Sequence, residues 1–404
     1  MKKMIIIGSG ISSLASAYYL KDKFEITIIE KNNYLGGHTH THSLEKENIN
    51  YDSGFIVLNN KNYPNFINLL KEIGVEYQKS NMSFSVTQRD TNYEWAGKNI
   101  KTIFDLKNIF SFRYLRILKD IIKFSSICDK NLIYEKIKIV DFLKKNNFSK
   151  EFIDLYFFPM CSSIWSSDLN DIENYDTSFI LNFFRNHGLH NIISKRPTWF
   201  TIKNGSKSYI EKILQKINCK VLLNEKVIEI DQINKKAKTI NNKLIDYDIL
   251  IMGSHSDQSY KILKDKTRYQ EELLLSVKYQ QNKVLIHTDE KVMPSKRKNW
   301  SSWNFKYNGK KLVLTYWMNL LQNLQCKTNV LVTLNSDEVG KDKIIKQIYY
   351  EHPLFTKSKE EVQKLSSKAQ GINDVYFSGA WLGYGFHEDG VKSALEIKNL
   401  INAQ

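Results

Sequence analysis

Cysteine is scarce in this sequence. The four present, Cys128, Cys161, Cys219 and Cys326, lie far apart and fit no metal-ligand spacing, so they read as reduced core thiols of a cytoplasmic protein. Long apolar runs are missing as well. The run at residues 4–7 stops at a glycine, which suits a buried strand and is too short for a signal peptide or a membrane span. Only seven basic residues are arginine, and no arginine-rich arm, zinc finger or RNA-binding aromatic motif occurs, which argues against a nucleic-acid partner. The sequence also lacks a nucleophile elbow, a zinc spacing and a Walker loop, so neither acyl-enzyme, metal nor nucleoside-triphosphate chemistry is indicated.

What remains is ample material for packing. With 404 residues, 42% of them hydrophobic and 12% aromatic, the chain can fill two cores, and no polar low-complexity tract interrupts it. Its net charge of +16 is carried mostly by lysine. A solvated lysine coat and an anionic partner both fit that excess. Residues 98–150 hold thirteen basic against five acidic side chains among many Ile, Leu and Phe, as in KNIFSFRYLRILKDIIKF. A basic amphipathic helix of this kind suits an anionic bilayer surface; a solvated helix covering a domain is the plainer alternative.

The stretch MIIIGSGISSLASAYYL, residues 4–20, reads as strand, glycine turn and helix. Gly8 permits the tight turn, Gly10 lets a pyrophosphate reach the helix N-terminus, and Ser9 and Ser12 flank that approach. Ser13 stands where a dinucleotide fingerprint has its third glycine, a change that touches packing more than phosphate contact. A second strand at residues 24–29 ends in Glu30, about twenty residues on, where an acid accepts ribose hydroxyls, with Lys31 beside it. The paired Gly36 and Gly37 before His38 let backbone amides approach a ligand closely.

From this pair of glycines onward the sequence resembles the flavin-containing amine oxidase superfamily. The segment YDSGFIVLN, with Gly54, Ile56 and Val57, is similar to the part that passes the isoalloxazine ring. The segments YPNFINLLKEIGVEYQKSNMSFSV, KRPTWFTIKNGSKSY, HTDEKVMPSKRKNWSSWNF, LTYWMNLLQNL and FSGAWLGYGFHEDGVKSA resemble a bacterial NAD/FAD-binding oxidoreductase family, and also the flavin-like N-terminal region of plant cyclopropane fatty acid synthases. The resemblance implies an α/β fold: a discontinuous Rossmann-like FAD-binding domain at residues 1–75, 196–255 and 366–404. An α+β substrate domain with a mixed or antiparallel sheet and helices is inserted at 76–195 and 256–365. It also implies that FAD is bound non-covalently, with His38 the one candidate tether, and that the backbone of Val227 meets the adenine.

The segmentation of the sequence suits this independently. Residues 220–230 read as a strand running to a turn at Asn234 and Lys235, and 247–252 as a buried strand ending at Gly253. At the C-terminus a strand breaks at Gly379, and HEDG, with His387, Glu388 and Asp389, opens an apolar-periodic helix. In the superfamily such a helix start faces the pyrimidine edge of the flavin, where its dipole favours negative charge. A capped surface helix is the alternative. Many relatives have an acid after the glycine aligned with Gly379; Ala380 and Trp381 stand there instead.

For the substrate side, Trp300, Trp303, Asn304, Tyr316 and Trp317 come from a pair of strands that, by resemblance, roofs the flavin with aromatic walls. His387, Glu388, Tyr384, Lys203 and His287 are candidates for proton handling, His287 equally well a structural histidine. The resulting expectation is an FAD-dependent oxidoreductase moving a hydride from a small-molecule or acyl-lipid substrate to flavin N5, an anionic membrane and an acyl-modifying methyltransferase being candidate partners. An amine oxidase and a flavin-holding partner of the methyltransferase that oxidises nothing are the competing readings.

Overall fold

The computed structural model describes residues 1–88, 93–97, 112–130, 137–165, 169–186, 197–307, 312–355 and 357–403. The central strands of its first sheet, Lys2–Ile7 and Ile249–Met252, carry continuous apolar runs, the pattern of strands covered on both faces. Five parallel strands lie in the order Cys219–Leu222, Phe24–Ile29, Lys2–Ile7, Ile249–Met252 and Val375–Phe377. The register pairs Ile7 with Ile29 on one side and Met252 on the other, so three strand ends reach the same level. The helices Ile11–Leu20, Pro64–Ile73, Lys207–Gln215 and His387–Asn402 share one apolar core with this sheet. Ile5, Ile7 and Leu250 turn towards a second core that includes the three-stranded sheet Val227–Asp231, Lys236–Thr239 and Leu244–Asp246.

The expected strand at residues 220–230 is two strands in two sheets. Asn224, with φ of +53°, turns the chain between Cys219–Leu222 and Val227–Asp231. Asparagine tolerates that left-handed conformation better than most residues, which is why the apolar pattern alone did not show the break. The turn at Lys235 is present, with φ of +52°.

A seven-stranded sheet carries the other half of the molecule, in the order Ile344–Leu354, Lys278–His287, Leu331–Leu334, Leu312–Trp317, Trp303–Tyr307, Phe84–Gln88 and Tyr93–Gly97. It is mixed, since Trp303–Tyr307 runs parallel to Phe84–Gln88 while the other pairs are antiparallel. Phe112–Asp129 and the helical stretch from Lys150 to Trp165 pack on it through a Phe-rich core. A small sheet joins Leu58–Asn59 and Tyr77–Lys79 through Trp199–Ile202. Among the described residues no helix is long and apolar enough to cross a membrane.

Candidate active site

The turn between the first strand and first helix leaves backbone donors free. Gly10 caps Ile11–Leu20 with extended backbone and no side-chain hydrogen bond, so the N–H groups of the first turn point out of the helix unpaired by any cap. A Cβ at Gly10 would project into space with no atom within 4 Å. Glu30, buried at the end of its strand, accepts from the Ser9 hydroxyl at 2.6 Å and from the Asn32 amide at 2.9 Å. A carboxylate has about four acceptor positions, so two remain for ligand hydroxyls. The Gly36 amide donates to the Ser9 hydroxyl oxygen at 3.1 Å, which ties the paired-glycine loop to the turn.

Close packing brings a second helix start to the same place. At Gly390 a Cβ would stand 2.9 Å from the Ile11 side chain, so glycine lets His387–Asn402 lie this near the first helix. Two helix N-termini therefore converge, which favours a doubly anionic group between them.

These parts open on one cavity of about 1050 Å³. Of the expected cofactor residues, Gly8, Ser9, Gly10, Ser12, Glu30, Lys31, Gly36, Gly37, His38, Gly54, Ile56, Val57, Val227, Gly379 and His387 line it. Glu388 and Asp389 do not. Glu388 turns away and accepts from the amides of Asn65 at 3.2 Å and Phe66 at 3.0 Å, and from the Asn65 side chain at 2.6 Å. It thereby caps the helix Pro64–Ile73. Asp389 accepts from the Phe386 amide at 3.1 Å, and burial pushes its carboxyl up to about 6.

His387 lies flat on Phe55, with ring centroids 3.6 Å apart, and its Nε2 meets the hydroxyls of Thr39 at 3.0 Å and Tyr209 at 3.1 Å. Burial lowers it to about 3, so it is neutral and held at the cavity wall. The remaining proton-handling candidates lie elsewhere. Lys203 pairs at 2.8 Å with Glu76 on the surface. Tyr384 packs on Phe179 and Phe183, and its hydroxyl is pushed up to about 12, first by burial and then by Glu360. His287 is buried against Thr333 at 2.7 Å and accepts from the Asp289 amide at 3.1 Å, a structural arrangement.

The far end of the cavity is apolar, formed by Met82, Phe84, Ile117, Ile121, Tyr156, Met160, Phe305 and their neighbours. Trp303 and Tyr316 are part of it, edge to face at 4.9 Å. Trp300, Asn304 and Trp317 are not. The cause is strand alternation: Trp303 and Phe305 face inward, so Asn304 between them faces outward, and Tyr316 likewise sends Trp317 outward. Asn304 binds Ser85 and Ser301 at 2.9 Å. The Trp300 indole donates to Pro294 and that of Trp317 to Asn329, each at 2.9 Å, with Arg297 stacked over Trp300.

Several wall residues escaped the sequence reading. Tyr350 and His352 border the cavity from the end of the long strand Ile344–Leu354, together with their neighbours Tyr349, Glu351 and Pro353, and His255 follows the Gly253 turn. The Tyr350 hydroxyl meets Ser53 at 2.7 Å and His40 at 2.9 Å, while burial lowers His352 to about 4. The helix Phe112–Asp129 supplies Ile117, Leu118 and Ile121 from within the basic segment; residues 98–111 and 131–136 of that segment lie outside the described part.

Residues 11–397 match the family model described as flavin containing amine oxidoreductase. Among curated proteins, a 1-hydroxycarotenoid 3,4-desaturase from Flavobacterium sp. (strain P99-3) is 47% identical over 55 residues, a match spanning 13% of this chain and 11% of that protein. Among solved structures, the cyclohexylamine oxidase from Brevibacterium oxydans IH-35A superposes with a TM-score of 0.72 at 13% identity, covering 99% of both chains. A CLA-producing fatty acid isomerase from P. acnes gives 0.65 at 13% identity, over 100% of this chain and 98% of the other. The likeness to plant cyclopropane fatty acid synthases rests on the quoted sequence segments alone.

Proposed function

Because this chain belongs to the flavin-containing amine oxidoreductase family and is an FAD-dependent oxidoreductase, we propose that it moves a hydride from an apolar, acyl-lipid-like substrate to the flavin N5, as in desaturation of a modified acyl chain. In this reading residues 1–75, 196–255 and 366–404 hold the cofactor, and 76–195 and 256–365 supply the walls around the substrate. One observation carries it. The glycine turn and Glu30 open on the same cavity as Met82, Ile117, Tyr156, Phe305 and Trp303, so an apolar molecule and the cofactor can share one cavity.

The residues fit FAD on their own terms. Open space at Gly10, spare acceptor capacity on Glu30 and two converging helix starts suit the diphosphate and ribose. FAD supplies the two-electron oxidation. The chain positions the substrate against it and excludes water, and the first-turn amides of His387–Asn402 place partial positive charge at that end. His387 is neutral and engaged by two hydroxyls, so it holds the wall rather than serving as a base.

Amine oxidation is the second reading, favoured by the aromatic pair Trp303 and Tyr316. The acyl reading is preferred because, among the described residues, the apolar end is lined by aliphatic and aromatic side chains, while the lining carboxylates Glu30, Glu225, Asp257 and Glu351 stand on or beside the strands and loops around the glycine turn. The short stretch shared with a 1-hydroxycarotenoid 3,4-desaturase is compatible with desaturation. A methyltransferase partner, and a role that binds lipid without oxidising it, follow only from the cyclopropane synthase resemblance.

Anaerobic mixing of the flavin-loaded protein with acyl lipids tests this. Bleaching of the visible flavin absorbance by a lipid is the expected result. Bleaching by amines alone would replace the substrate class, and tight lipid binding with an unchanged spectrum would favour the non-oxidising role.

A further inference from the structure

The helix Phe112–Asp129 has two apolar stripes where a helix covering a core needs one. The inner stripe, Tyr114, Ile117, Ile121, Phe124 and Cys128, is buried, and Ile117 and Ile121 line the cavity. The outer stripe follows the same three- and four-residue spacing through Phe112, Leu115, Lys119 and Ile122. Phe112 is 84% exposed, Leu115 48% and Ile122 63%. Scattered apolar residues on a surface need no explanation, but three on one helical line do.

Charge decides what covers them. Arg116 and Lys119 lie exposed along the stripe. The Lys123 ammonium reaches the Asn146 carbonyl at the end of Ile139–Lys145, which brings the exposed Lys144 and Lys145 alongside. Across residues 112–130 and 137–151 there are nine basic side chains against four acidic. Of those acids Asp120 is buried against the Ser149 amide and Glu151 is paired with Arg116. An apolar line flanked by unbalanced positive charge matches an anionic phospholipid surface, whose headgroups meet the lysines while its acyl region takes Phe, Leu and Ile.

We propose that the outer face of Phe112–Asp129 docks this protein on an anionic bilayer, so that the helix stands between the membrane and the apolar end of the cavity. Docking itself is independent of the chemistry assigned above; taking the bilayer as the source of the substrate rests on that reading. The geometry suits a lipid substrate, since the helix that meets the acyl region with Leu115 and Ile122 meets the cavity with Ile117 and Ile121.

The test is flotation of the full, flavin-loaded chain with vesicles of phosphatidylcholine alone or with about one-third phosphatidylglycerol. Flotation with the anionic vesicles only, reversed by salt and weakened about tenfold or more in a Phe112→Ser, Leu115→Ser, Ile122→Ser variant that keeps its flavin absorbance, is the expected result. Equal flotation with both vesicles, none with either, or an unaffected variant overturns the proposal. So does a wild type that sediments as a dimer which the variant converts to monomer, for then a second copy covers the stripe. Hydrogen exchange on the wild-type protein gives a readout that needs no variant: added anionic vesicles slow exchange within Phe112–Asp129, and an unchanged pattern there counts against docking. A colourless preparation would undermine the flavin reading and leave the flotation result standing.

Discussion

A serine replaces the third glycine of the dinucleotide fingerprint, and the neighbouring strand carries the glycine that makes room for it. Ser13 is fully buried, and a Cβ at Gly253 would overlap its hydroxyl. The close helix-to-strand approach is thus kept by moving the small residue across the contact. Gly253→Ala should cost about 1–3 kcal/mol through overpacking, and Ser13→Gly in the same chain should recover most of it. Urea unfolding of the two single variants and the double variant measures this coupling. Glu30 has a different role, since its spare acceptor positions face the cavity. Glu30→Gln should weaken FAD binding by about ten- to a hundredfold with little change in fold stability, as read by reconstitution of the stripped protein.

Elements decide which face a residue presents. The five aromatic and amide candidates of the substrate side fall in one pair of neighbouring segments, yet alternation along two strands sends Asn304 and Trp317 away from the cavity. Alternation does not account for Tyr350 and His352, since the end of Ile344–Leu354 borders the cavity with consecutive residues from Tyr349 to Pro353. Helix ends show a similar exchange. Pro64–Ile73 has no capping side chain of its own, and Glu388, from the first turn of His387–Asn402, accepts its exposed amides. Glu388→Gln should therefore lower stability by about 1 kcal/mol and leave the flavin spectrum unaltered. Thermal unfolding with and without FAD separates this from a cofactor contact, because a lost contact would reduce the shift that FAD produces.

At the level of the whole molecule, one buried and two half-buried histidines predict an acid limit to stability. Burial lowers His40 to about 4, His42 to about 3 and His287 to about 4, and none of the three lines the cavity. Unfolding returns each to its ordinary value near about 6.5, so between these values the unfolded chain binds more protons than the fold. The associated stability is full above about pH 6.5 and is lost as pH falls towards about 4. The Tm should drop steeply across that window, and His287→Gln, which can still donate and accept, should flatten the slope by one proton. A Tm that holds level across the window would contradict the assignment of neutral imidazoles at these three positions.

The nucleotide end of the site was legible in the amino-acid order because its contacts are local and made by backbone. Glycine spacing, a strand of apolar residues and an acid at the next strand's end fix where Gly8, Gly10 and Glu30 go, with few alternatives. The substrate end was decided by tertiary structure. Its walls come from segments around Met82, Ile117, Tyr156, Phe305 and Tyr350, each of which reads by itself as ordinary core. Whether an apolar side chain fills a core or borders a cavity depends on what packs opposite it, and that partner lies far away in the chain.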